Sequence, residues 1–161
     1  MYKLKTVLLS LLVLMLLASF LVGTKSSSYK CLIQMVNYNG EGAYLVISLI
    51  DPDGHYQKTL FVQGDDDEWY PDMTEWWDYF DSEEENIDAI TGATIGGGER
   101  AISVFDIEDS KVDAGYKIRF ETAVEDQEYY LDDVEFPLTS ENIKSKFEGK
   151  GYIRYVRMMP N

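Results

Sequence analysis

The chain has 161 residues, with 29 acidic residues against 14 lysines and arginines, a formal net charge of −15 and one cysteine. That charge counts against nucleic acid and anionic lipid surfaces as partners, since both would repel it. A single cysteine excludes an internal disulfide, so burial alone must hold the fold.

The first segment, "MYKLKTVLLSLLVLMLLASFLVGTKSS", has Lys3 and Lys5 ahead of an apolar, uncharged run of 17 residues, Val7 to Gly23. This is the pattern of an export signal. The run also approaches the roughly 17–25 residues that span a bilayer, and "LVGTKSSS" offers no A-x-A cleavage pair, so residues 1–26 are expected to be a signal peptide or an N-terminal membrane anchor. The lysines on the N-terminal side send the rest of the chain out of the cytoplasm in either case. Residues 27–161 are expected to form one domain outside it; the chain after Gly23, without Lys3 and Lys5, carries twelve basic residues against 29 acidic, a net charge of −17. Cys31 follows Ser28-Tyr29-Lys30, which is not a lipid-attachment pattern, and is expected to pack in a strand as a small hydrophobe.

From there strand follows strand. "YKCLIQMVNY", "AYLVISLI" and "HYQKTLFVQ" are β-branched and aromatic runs separated by "NGEG" and "DPDG", both rich in turn residues. "DEWYPDMTEWWDYFDSEEEN" differs: Pro71 stands at a helix start, and Met73, Trp76, Trp77 and Phe80 share a helical face. "RAISVFDI", "AGYKIRFETAV", "QEYYLDDVEFPL" and "GYIRYVRMM" return to strand character, and "TSENIKSKFEGKG" admits a helical turn begun by Thr139 or Ser140 and stopped by Gly149. About seven strands joined mostly by short turns predict an all-β fold, an antiparallel, immunoglobulin-like β-sandwich with one short helical insertion.

Most candidates for chemistry have plainer explanations. His55, the one histidine, lies in a hairpin without companions for a metal site or a triad. "GDDDE", Gly64 to Glu68, lacks the spacing of a calcium loop and is expected to be a solvated acidic turn. Trp69, Trp76 and Trp77 could stack on a planar ligand, but tryptophan more commonly anchors a helix. "TGATIGGG" has neither G-x-G-x-x-G nor a Walker lysine, and by composition is a flexible loop.

The loop "NIDAITGATIGGGER", residues 86–100, carries more than composition. Asp88-Ala89-Ile90-Thr91-Gly92-Ala93-Thr94 resembles the D-x-x-[ST]-G-A-[ST] signature of proteins flavinylated by the ApbE-type flavin transferase, among them subunits of sodium-pumping quinone reductases. The resemblance implies FMN joined through its phosphate to the Thr94 side-chain oxygen, with Asp88, Thr91, Gly92 and Ala93 as the recognition sequence and Trp76 and Trp77 as flavin-side packing. A hydroxyl that must enter another enzyme's active site needs a pliable, unhindered segment, which Gly92-Ala93 and Gly96 to Gly98 would give.

The exported region is also similar to an uncharacterised family of bacterial periplasmic proteins, a domain of unknown function. Thr59-Leu60, Trp69, Trp76, Asp88 to Thr94, Ala114-Gly115-Tyr116 and Glu121 carry that similarity. After Glu125 the chain has "DQEYY" where the family continues with Arg, Glu, His and Gly, so no role of that histidine transfers. Together the resemblances imply an extracytoplasmic FMN carrier, modified by a flavin transferase, that relays electrons from a membrane electron-transfer protein and is more an electron carrier than a stand-alone enzyme. Two alternatives stay open: an exported interaction module without a cofactor, using an aromatic strand edge such as "EYYL", and an extracellular reductase with its own substrate pocket.

Overall fold

A computed structural model describes residues 25–64, 66–83, 86–87 and 89–161. The leader before Lys25, Asp65 of the acidic turn, and Asp88 of the loop motif lie outside the described residues.

The architecture is the expected β-sandwich, with nine strands among the described residues. One sheet has the order β5 (Arg100–Glu108), β1 (Ser26–Met35), β9 (Ile153–Pro160) and β8 (Lys146–Glu148). The other has β4 (Thr91–Gly92), β3 (Tyr56–Gln63), β2 (Tyr44–Ile50), β6 (Lys117–Ala123) and β7 (Tyr129–Pro137). Pairing is antiparallel except for β3 with β4, which run parallel. The two strands beyond the expected seven are the short ones, β4 and β8. The "DPDG" turn closes the β2–β3 hairpin, with Asp51 Oδ1 accepting from the amides of Asp53 and His55. The "NGEG" segment instead carries the chain from one sheet to the other.

Burial patterns show why the elements sit where they do. β5 alternates, with Ser103, Phe105 and Ile107 buried and Ile102, Val104 and Asp106 outward, as a strand with one packed face must. β2 is buried at every position from Tyr44 to Ile50 because both its faces are covered. Leu45, Ile47 and Leu49 enter the core between the sheets, with Cys31, Ile33, Phe120, Phe136 and Val156. Cys31 is the small buried hydrophobe expected of it, and burial pushes its thiol up to about 12. Tyr44 and Val46 face the other way into a second apolar cluster with Val62, Tyr70, Met73 and Trp76.

That second cluster is roofed by the helical insertion, α1 (Thr74–Glu83). Pro71 does not start α1; it lies in a preceding 3₁₀ segment, Asp67–Asp72, whose first turn is capped by Asp66 accepting from the Glu68 amide. Pro71 is the fifth of the six residues of that segment and brings no amide hydrogen to it. In the segment after β7, Thr139 Oγ1 accepts from the Asn142 amide at the start of a 3₁₀ turn, Asn142–Lys144, but β8 intervenes before Gly149. Asp133, fully buried on β7, accepts from the Thr122 hydroxyl at 2.7 Å and from the amides of Lys150, Gly151 and Ile153 at 2.8–2.9 Å, tying the β8–β9 turn to the opposite sheet.

Candidate functional site

The loop singled out in the sequence wraps the open side of the sandwich and is fastened at both ends. On the near side, β4 lies along the end of β3: Val62 N donates to Ile90 O at 2.9 Å, and Gly64 N donates to Gly92 O. On the far side, Ile95 exchanges two backbone hydrogen bonds with Ala43, at 2.8 and 3.0 Å. Ile87 and Ile90 pack into the cluster beneath α1, whereas Ile95 enters the core between the sheets. Ala93 and Thr94 bridge these anchors, Ala93 exposed and Thr94 half-buried.

The Thr94 hydroxyl has no hydrogen-bond partner among the described residues. It sits over Gly42, where a built Cβ would lie 2.4 Å from Thr94 Oγ1 and 2.7 Å from its Cβ. Gly42 is therefore the floor on which Thr94 rests. Tyr38 secures the same spot, its hydroxyl donating to Ile95 O and accepting from Ala43 N at 2.7 Å. Burial raises the Tyr38 phenol above its ordinary pKa, so it remains the protonated donor at neutral pH. Sequence reasoning passed over both residues because "YNGEG" looks like an ordinary turn; their contacts with the loop span more than fifty positions.

The glycine run is not slack. Gly98 N donates to Val36 O at 2.8 Å, Gly96 N to the Glu99 carboxylate at 2.9 Å, and Glu99 N back to Gly96 O at 3.1 Å. A Cβ on Gly97 would lie 2.2 Å from Tyr38 O, and Gly98 has φ +78°. These glycines are required by close backbone approach and a left-handed turn rather than for reach.

The tryptophans divide. Trp76 is wholly buried, its indole N–H donating to Thr59 Oγ1 at 2.9 Å and its ring stacked on Phe80 with centroids 4.9 Å apart. No face of Trp76 is open to a flavin, so the expectation of flavin-side packing fails for it, and it is the anchor of α1. Trp77 is half-buried and packs beside Tyr70 in the same cluster that receives Ile90. Tyr70 reaches the loop's anchorage directly, its hydroxyl donating to Gly64 O at 2.9 Å.

Beside the loop, on the Ile90 side, a groove of about 600 Å³ is lined by Lys58, Thr59 and Leu60 of β3, Val104, Phe105 and Asp106 of β5, and Asn86, Ile87 and Ile90.

A buried acid lies under α1. Cross-strand register sets Thr91, Val62, Val46 and Glu121 in one row across the sheet. Glu121 is fully buried and accepts from the hydroxyls of Tyr56 and Tyr129. Burial pushes its carboxyl up to about 7 against the opposing pull of the two tyrosines and Arg119. Arg119 itself pairs with Glu135 at 2.7 Å and lies over the Tyr56 ring. His55 is exposed, and among the described residues no group of three or more His, Cys, Asp or Glu is placed to hold a metal ion.

Residues 26–155, spanning both sheets, α1 and the loop, match the model of the DUF2271 family, described as a predicted periplasmic protein. The chain belongs to the DUF2271 family. This DUF2271 protein is accordingly extracytoplasmic, and among its described residues no helix is long and apolar enough to cross a membrane. Neither the curated proteins nor the solved structures include one that matches it.

Proposed function

We propose that this DUF2271 protein carries FMN on Thr94 and relays electrons in the periplasm. The observation that carries the reading is Thr94 itself. In a D-x-x-T-G-A-T segment, its hydroxyl is held between two hydrogen-bonded anchors, over a glycine, with no hydrogen-bond partner among the described residues. That arrangement fits a hydroxyl kept for a bond to another group. A flavin transferase would join Thr94 Oγ to the phosphorus of the FMN half of FAD, with AMP leaving and the hydroxyl proton lost to the transferase. Once bound, the flavin supplies the electron-transfer chemistry.

The chain's own residues supply position and surroundings. Gly42, Tyr38 and the Ala43–Ile95 bridge fix where the tether begins. Half-buried Trp77 and the groove lined by Leu60, Ile87 and Ile90 offer surfaces for a flat ring. Asp88 would complete the recognition sequence. A membrane electron-transfer protein is the donor this reading calls for, and a periplasmic setting favours a covalent tether because a released flavin would diffuse away.

The test is co-expression of the full chain with a flavin transferase, followed by denaturing electrophoresis and intact mass. Fluorescence in the denatured band and added mass of one FMN are expected for the wild type, with both lost in Thr94→Ala. An unlabelled wild type, under conditions that label a known acceptor, would overturn the reading. The rival aromatic edge "EYYL" is less apt as a docking site. Tyr129 is bonded to Glu121, and the Tyr130 ring packs edge-on against Tyr152 with centroids 5.3 Å apart.

A further inference from the structure

β5 is an edge strand: one side pairs with β1, and no described strand pairs with the other. Its outward row is Arg100, Ile102, Val104 and Asp106. Ile102 is 63% exposed and Val104 41%, and with Met159 they are the large hydrophobic side chains exposed among the described residues. Register puts all three on one sheet face, with Ile102 opposite Leu32 and with Val104 and Met159 flanking Lys30. A nine-residue strand edge that no described strand covers, bearing an apolar patch, is a feature that monomeric proteins avoid.

We propose that this edge is a homodimer interface, in which β5 pairs antiparallel with β5 of a second copy about a two-fold axis at Ser103. The charge pattern selects both the partner and the register. Centred on Ser103, Arg100 faces Asp106 of the second copy, Ile102 faces its Val104 and Ala101 faces its Phe105, and symmetry repeats each pair. Centring on Ile102 would set Arg100 against Val104, and centring on Val104 would set Ile102 against Asp106. Of these three registers, the Ser103-centred one alone matches both the charges and the apolar side chains. Arg100 uses Nε on Gln34, and its terminal nitrogens, without a hydrogen-bond partner among the described residues, can reach a carboxylate.

The other edges fit less well. β4 and β8 are two and three residues long. β7 turns its tyrosines to internal partners. Beside Val104, Phe105 and Asp106 the space is open, being the groove already described, so the incoming strand would wall that groove. The pairing joins two four-stranded sheets into one of eight strands, independently of what Thr94 carries.

Sedimentation velocity tests this on the protein purified from the periplasm of cells expressing the full chain. Physiological ionic strength is the right condition, since repulsion between the acidic copies is then screened beyond about 8 Å. The wild type is expected to sediment as a dimer. Arg100→Asp and Asp106→Arg, which set like charges opposite each other, should each raise the dissociation constant at least tenfold, and the double swap should restore the dimer. Ile102→Lys, at an exposed position, should give a folded monomer with an unchanged far-ultraviolet spectrum. A monomeric wild type, a dimer indifferent to every substitution, or a folded double swap that stays monomeric would each overturn the proposal.

Discussion

Thr94 rests on Gly42: a methyl group at position 42 would lie 2.4 Å from the threonine hydroxyl oxygen. Gly42→Ala is therefore expected to push Thr94 off its seat, costing about 1–3 kcal/mol of stability through overpacking. The fraction of chain that accepts FMN should fall at the same time. Intact mass after co-expression with a flavin transferase, alongside a urea unfolding curve, checks both effects. Full labelling of a folded Gly42→Ala protein would show that the seat is irrelevant to modification.

Glu121 should make stability depend on pH. Its folded pKa, about 7, lies above the ordinary 4.5 because burial disfavours the charge, so folding takes up a proton. The contribution is fully present below pH 4.5 and is lost as pH rises through about 7. The loss is on the order of 3 kcal/mol. Glu121→Gln keeps the shape without the titration and should flatten that part of the profile, read as urea midpoints across the window. Parallel profiles for wild type and variant would exclude Glu121 as the source.

Asp133→Ala should be among the most damaging single changes in the chain. It leaves the amides of Gly151 and Ile153 and the Thr122 hydroxyl without their acceptor, while the Lys150 amide keeps the Asp133 carbonyl at 2.9 Å. A loss of about 3–5 kcal/mol is expected in chemical denaturation, since each stranded donor costs roughly 1–3 kcal/mol. A loss below 1 kcal/mol would mean that water replaces the carboxylate.

The two adjacent tryptophans should separate cleanly. Trp76→Ala empties the centre of the cluster under α1 and should cost about 3–5 kcal/mol. Trp77→Ala, at a half-buried position, should cost much less and, in flavinylated protein, should change the emission of the bound flavin. Equal destabilisation by the two substitutions would contradict the packing described.

Local pattern accounts for most of what was legible in the sequence. The β2 run and the alternation in β5 declare themselves because burial on one or two faces leaves a periodic trace. The Trp76, Trp77 and Phe80 spacing declares α1 in the same way. The Thr91 to Thr94 segment was conspicuous by its motif. Its setting was not, because β4 is two residues long and exists only through its parallel pairing with Val62 and Gln63.

The sequence by itself determined the exported β-sandwich, the helical insertion and the threonine to test, since hydrophobic period, turn residues and motif are properties of neighbours along the chain. Only the tertiary structure decided which strands share a sheet, that Gly97 is fixed by the backbone of Tyr38, that Trp76 is closed to ligands, and that β5 is left as an edge. Those outcomes depend on contacts between residues tens of positions apart, where shape and hydrogen-bond partners are chosen by the packed whole.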